Sequence, residues 1–140
     1  MEKGSKHIIL YAEDDLDDLS LVKDCFKEFE QVELVHAFDG HQAIQTLNQL
    51  AKEGTLPCLI ILDINMPAMD GRQTLIQIKQ SDSLKNIPVV MFTTSNSMLD
   101  KEFARKWGAD FITKPLKYAE VIALADEFSK RCNFEISKRT

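Results

Sequence analysis

Glu13, Asp14 and Asp15 stand together near the start of the chain, Asp63 stands alone near its middle, Thr93 and Thr94 follow, and Lys114 precedes Pro115. Carboxylates, a hydroxyl and one lysine, with no His or Cys among them, make a hard, oxygen-rich donor set. If Glu13, Asp14 and Asp63 converge, three negative charges against one lysine leave a local charge of about −2, and in a low-dielectric cleft they repel strongly. A divalent cation cancels that charge, and one or two carboxylates plus waters suit Mg²⁺. Such a set serves phosphoryl transfer: one aspartate attacks phosphorus while metal, lysine and hydroxyl take up charge on the equatorial oxygens. An aspartate following a strand is more commonly a helix N-cap or a turn former. The joint placement of these residues, rather than any one of them, argues for chemistry.

What makes them a set is that each follows an apolar run. The runs His7 to Ala12, Val32 to Ala37, Cys58 to Leu62 and Pro88 to Phe92 lack polar alternation, as strands covered on both faces do. A weaker fifth run, Asp110 to Thr113, follows Gly108. Helical spacing fills the intervals, with Leu19, Val22, Phe26 and Phe29 in the first and Ala43, Leu47, Leu50 and Ala51 in the second. Leu75, Ile76 and Ile78 mark a third helix, Leu99, Phe103, Ala104 and Trp107 a fourth, and Val121, Ile122, Ala125 and Phe128 a fifth. Five β-α units with right-handed crossovers predict an α/β fold: a parallel sheet with helices on both faces. Ligands of such sheets bind beyond the carboxyl ends of the strands, where the carboxylates and the lysine fall.

The 140 residues, 44% hydrophobic and 28% charged, predict one domain over 1–140, with its core at about 7–131 and a frayed polar tail from Asn133 to Thr140. A formal charge of −5 disfavours non-specific nucleic-acid binding, which needs a basic face. No apolar run approaches the ~18 residues of a membrane span or has the layout of a signal peptide, so a cytoplasmic protein is expected. Cys25, Cys58 and Cys132 are odd in number and widely spaced. They signal neither a disulfide framework nor a zinc site, and read as buried or bystander thiols.

Four segments carry a family resemblance: Tyr11-Ala12-Glu13-Asp14-Asp15, Leu62 to Gly71, Ile87 to Thr94, and Gly108 to Pro115. With these, the chain from about His7 to Arg131 resembles the receiver domains of bacterial two-component response regulators. The resemblance implies a flavodoxin-like (βα)5 fold with strand order 2-1-3-4-5. It implies Asp63 as phosphoacceptor, Glu13 and Asp14 as the pair holding Mg²⁺ directly or through water, and Asn65 as a metal ligand through its backbone carbonyl. Lys114 would contact the phosphoryl oxygens, aimed inward by a cis peptide before Pro115. Thr93 would hydrogen-bond the phosphoryl group and Phe111 would rotate inward with it, the two forming the switch. Thr94 and the Asn65 side chain lie where the family sets the dephosphorylation lifetime.

Other residues take structural roles in this reading: Asp15 caps or starts the first helix, Asp70-Gly71 makes a turn, and Trp107, His7, His36 and His41 pack or lie on the surface. The resemblance implies a stand-alone response regulator that takes a phosphoryl group from a histidine kinase and slowly hydrolyses it, a signalling protein rather than a turnover enzyme. Output would pass through protein contacts on a face drawn from Leu99 to Trp107, Asp110 to Thr113 and Lys117 to Phe128. Within the family the chain looks most like the regulators paired with bacterial phytochromes. The features are Asp63-Ile64-Asn65-Met66-Pro67, the long Leu47 to Pro57 connection and the Ser81 to Pro88 insert, and that subfamily implies homodimerisation. A phosphorylation-independent adaptor is the alternative. A haloacid dehalogenase phosphatase would need a second aspartate where Asn65 stands, and a flavodoxin would need a Ser, Thr and Gly-rich phosphate loop in place of Glu13, Asp14 and Asp15.

Overall fold

The structure, a computed structural model, describes residues 7–27, 29–115 and 117–132. The apolar runs form the strands β1 (His7–Ala12), β2 (Val32–Ala37), β3 (Leu59–Leu62), β4 (Val89–Thr93) and β5 (Asp110–Thr113). They pair in parallel in the order β2-β1-β3-β4-β5, as expected. The register brings the carboxyl ends level. Ala12 pairs with both Ala37 and Leu62, Leu62 with Met91, and Thr93 with Thr113. Because strand order reverses between β1 and β3, the crevice for a ligand opens there.

Among the described residues four helices connect the strands, α1 (Leu16–Phe26), α2 (Gly40–Glu53), α3 (Gly71–Gln80) and α4 (Met98–Lys106), and two helical segments follow β5, α5 (Tyr118–Ile122) and α6 (Leu124–Arg131). The single fifth helix expected from the spacing is thus divided at Ala123, and neither piece has a side-chain N-cap. Period-2 alternation splits the core into two layers. Ile9 and Tyr11 of β1 pack with Val22 and Phe26 of α1, Val121 of α5 and Phe128 of α6. Leu10 and Ala12 pack instead with Leu47 of α2 and with Leu75 and Ile78 of α3. β3 is buried along its whole length, so no side chain of the central strand is free to wander. Full burial of each large aliphatic contributes about 1.5–3 kcal/mol.

Several expectations need correction. Asp70 and Gly71 do not form an isolated turn. Asp70 is the N-cap of α3, in a reciprocal capping box with Gln73, and Gly71 is the first helical residue. The buried line of α4 runs through Asp100 and Ala104, while Leu99, placed by its spacing on the apolar face, is 82% exposed. The rest of the expected face holds, with Ala104 buried and Phe103 and Trp107 packed against the core, and Asp100 takes the place of Leu99 because its partners draw it inward. Cys58 and Cys132 are joined as a disulfide with Cα atoms 4.9 Å apart. Sequence spacing missed it because the partners are 74 residues apart and only the fold brings the end of α6 to the start of β3. Cys25 is a free, buried thiol, as expected. The peptide before Pro115 is not cis. The tail from Asn133 lies outside the described residues.

Candidate functional site

The strand ends place the carboxylates. Glu13 leaves β1 with its backbone N–H donated to Ala37, and Asp63 leaves β3 with its N–H donated to Ala12, so the two residues sit on adjacent strands. Asp63 is held from behind by α3. Gly71 donates its N–H to the Ile64 carbonyl, and a Cβ at Gly71 would fall on the Asp63 carbonyl oxygen. Only glycine allows this approach, a demand that reading it as part of a turn did not reveal.

Glu13, Asp14 and Asp63 each offer an oxygen, and these oxygens lie within 4.8 Å of one another. They line an open cleft of about 640 Å³ with Asn65, Thr94 and Lys114. Glu13 is fully buried; its Oε1 accepts from the Tyr11 hydroxyl at 2.7 Å and from Lys114 Nζ at 2.8 Å. Its Oε2 accepts from the Asp15 N–H at 3.2 Å. Lys114 Nζ also donates to Asp63 Oδ2 at 3.2 Å and to Asp18 Oδ2 at 2.7 Å. Asp14 is exposed at the cleft mouth, and the Asn65 N–H lies 3.4 Å from Asp63 Oδ1.

Burial pushes the Glu13 carboxyl up to about 7, against the hydrogen bonds from Lys114 and Tyr11 that favour its charged form; the Asp63 charge pushes the same way as burial. Burial opposes the charge on Lys114, but its hydrogen bonds to Asp18 and Glu13 and the nearby Asp63 charge outweigh this and raise it. The lysine is therefore a fixed positive charge, and Glu13 is the carboxylate whose charged form burial disfavours. Four carboxylates against one ammonium leave an excess of negative charge that a divalent cation would neutralise. The donors are all hard oxygens, so the residues present fit such an ion.

Thr93, at the end of β4, is fully buried and pairs with Thr113; its carbonyl accepts from the Lys114 N–H at 2.7 Å and its Oγ1 from the Ser95 N–H at 3.3 Å. Thr94, not Thr93, lines the cleft. Phe111 sits outside it, in β5 opposite Met91, partly buried against the α3 and α4 layer, with Lys101 Nζ 6.0 Å from its ring centroid. Asp15 is the N-cap of α1, accepting from Asp17 and Asp18, as expected.

Three features escaped the sequence reading. Asp18 joins the lysine from the first turn of α1, and its only sequence signal is its place three residues past the N-cap. His36, expected to be a bystander, donates from Nε2 to the Glu13 carbonyl at 2.6 Å and stacks edge-on against Phe38. Asp100 accepts from Ser95 Oγ at 2.6 Å and from Arg72 of α3, which ties α3, α4 and the loop after Thr93 together.

A parallel five-stranded sheet with carboxylates and a lysine at its switch point defines a signalling receiver. The family profile described as the response regulator receiver domain matches residues 9–126, and the chain belongs to that family. It is similar to the response regulator Rcp1 of Synechocystis sp., with 39% identity over 99 residues covering 69% of this chain and 67% of Rcp1. Among solved structures it resembles the phosphorylated cyanobacterial phytochrome response regulator RcpA, with a TM-score of 0.82 and 27% identity over 96% of this chain and 100% of that one. It also resembles the Mn²⁺-bound form of Rcp1, with a TM-score of 0.77 and 29% identity over 96% and 99%. The expected likeness to phytochrome regulators is borne out. Receiver domains are phosphorylated on aspartate in two-component signalling, bind a divalent metal and take a histidine kinase as partner. Among the described residues no helix is long and apolar enough to cross a membrane.

Proposed function

We propose that this chain accepts a phosphoryl group on Asp63 from a histidine kinase, in a Mg²⁺-dependent reaction, and passes the signal on through protein contacts. The observation that carries this is the Lys114 ammonium bridging Glu13 and Asp63 while the Asp14 carboxylate closes the same oxygen cluster. Glu13, Asp14 and Asp63, with the backbone carbonyl of Asn65, would hold the metal. When bound, Mg²⁺ supplies positive charge at the oxygens of the transferring group.

The chain's own residues do the rest. Asp63 Oδ attacks phosphorus, forming the O–P bond as the bond to the kinase histidine nitrogen breaks and that nitrogen leaves. Lys114 donates to the arriving oxygens, and the hard wall of Gly71 and α3 keeps Asp63 from retreating. Thr93, whose Oγ1 accepts from the Ser95 N–H, turns its hydroxyl to donate to the phosphoryl group, and Phe111 moves with it as the second part of the switch. Water later attacks phosphorus, releasing inorganic phosphate and restoring the carboxylate, with Thr94 and Asn65 flanking its approach.

The output face takes in α4, β5 and the last helical segments, where Met98 and Leu99 stand 71% and 82% exposed. The likeness to the phytochrome response regulator RcpA supports a phytochrome-type kinase upstream, and the exposed apolar residues of this face suit homodimerisation through it. In the test, a phosphorylated histidine kinase or acetyl phosphate labels the parent only with Mg²⁺ present. Asp63→Asn takes no label and shows no change in oligomeric state or partner affinity. Undiminished labelling of Asp63→Asn overturns the assignment.

A further inference from the structure

Asp18 belongs to none of the motifs, yet it makes the shortest bond to the lysine: 2.7 Å from Nζ, against 2.8 Å for Glu13 and 3.2 Å for Asp63. The ammonium has three N–H donors, and these three carboxylates occupy them all. Its position is thus set by a pull toward the first turn of α1 as well as toward the strand ends. Phosphorylation replaces the single charge of the Asp63 carboxylate with up to about two on the phosphoryl oxygens, a net gain of about one, and those oxygens need the same ammonium. The bond from Lys114 to Asp63 is released as that carboxylate becomes an acyl ester, and Lys114 can give the phosphoryl oxygens a second donor only by loosening its bond to Glu13 or to Asp18. The Asp18 side chain is 31% exposed, whereas those of Glu13 and Asp63 are 0% and 9% exposed. Water can replace the lysine at Asp18 far more readily than at fully buried Glu13, so that is the second bond to loosen.

We propose that Asp18 is a positioning residue that holds Lys114 in the unphosphorylated site and competes with the phosphoryl oxygens for its ammonium, given Asp63 as acceptor. It thereby disfavours the phosphorylated state relative to a site lacking this carboxylate. Asp17, exposed one residue earlier on the same turn, carries the same charge and has no ion pair with Lys114 among the described residues, which makes it the control for charge alone.

The test titrates beryllofluoride, a phosphoryl mimic, into the full chain at saturating Mg²⁺ and reads the bound species by fluorine NMR. Asp18→Asn is expected to lower the half-saturating concentration about 5- to 10-fold, the size of one ordinary net hydrogen bond, because the part-exposed Asp18 is screened by water. Asp17→Asn is expected to stay within about twofold of the parent, and Asp18→Glu, which keeps a carboxylate in reach, to return toward the parent. Asp18→Ser gives the same readout if the Asn variant does not fold by circular dichroism. An unchanged or raised half-saturation in Asp18→Asn, or an equal gain in Asp17→Asn, overturns the proposal. Beryllofluoride binding that survives Asp63→Asn instead overturns the acceptor assignment beneath it.

Discussion

Tyr11 is buried in the middle of the sheet, but its hydroxyl has a polar task, donating to Glu13 Oε1 at 2.7 Å. Burial, and the nearby Glu13 charge after it, hold its phenol far above the ordinary range, so it stays a donor. The bond favours ionised Glu13 and works against the burial that pushes this carboxyl up to about 7. Tyr11→Phe is therefore expected to raise Glu13 further and leave a buried carboxylate short of a donor, at a stability cost of about 1–3 kcal/mol. A proton then competes better with the metal. Calorimetric titration with Mg²⁺ should show weaker binding at neutral pH and a deficit that shrinks as pH rises above 8. A deficit independent of pH would mean that Tyr11 acts by shape alone. Alternation marks Tyr11 as core, and the type of residue at 13 marks a ligand, but that the two share a bond is visible only in the fold.

Between elements, the contact most exposed to solution conditions is the one joining α3 and α4. Asp100 is buried and accepts from Ser95 and Arg72. The Ser95 hydroxyl first, and the Arg72 guanidinium after it, hold its carboxyl below the usual aspartate range in spite of burial. A depressed folded value means stabilisation that is fully present above the unfolded pKa, about 3.9, and lost as pH falls through the folded value. The parent should thus lose part of its melting temperature on acidification below about pH 4, and Asp100→Asn should start lower and lose less over that interval. Thermal scans at pH 3, 4 and 6 decide this; parallel curves for the two proteins would remove Asp100 from the acid sensitivity. Because Ser95 also donates to Thr93 Oγ1, the same contact sets the resting place of the loop that the switch must move. The spacing of apolar residues placed Leu99 on the buried side, since a hydrophobic pattern carries no information about an aspartate that finds an arginine on another helix.

At the scale of the molecule, the disulfide closes a loop of 74 residues and fastens α6 to the start of β3, at the end of that strand away from Asp63. Opening a loop of this length costs about 2–4 kcal/mol, a fall of roughly 5–15 °C in melting temperature for a domain of this size. A non-thiol reductant and the substitution Cys132→Ser should each produce that fall, without additivity. Equal melting with and without reductant would show the bridge to contribute nothing. Cys25, whose thiol burial pushes up to about 12, should resist alkylation in both states until the chain unfolds. Strand positions, the parallel sheet and the acidic cluster were legible in the sequence, because strand burial and carboxylate chemistry are written in residue type and short spacing, whereas the strand order came only through the family resemblance. The three-way sharing of Lys114, the hold of His36 on Glu13, the inward turn of Asp100 and the pairing of Cys58 with Cys132 were decided by the tertiary structure alone. Each joins residues far apart in the chain through side chains whose partners are set by which surfaces the packed layers bring face to face, and no local pattern encodes that distance.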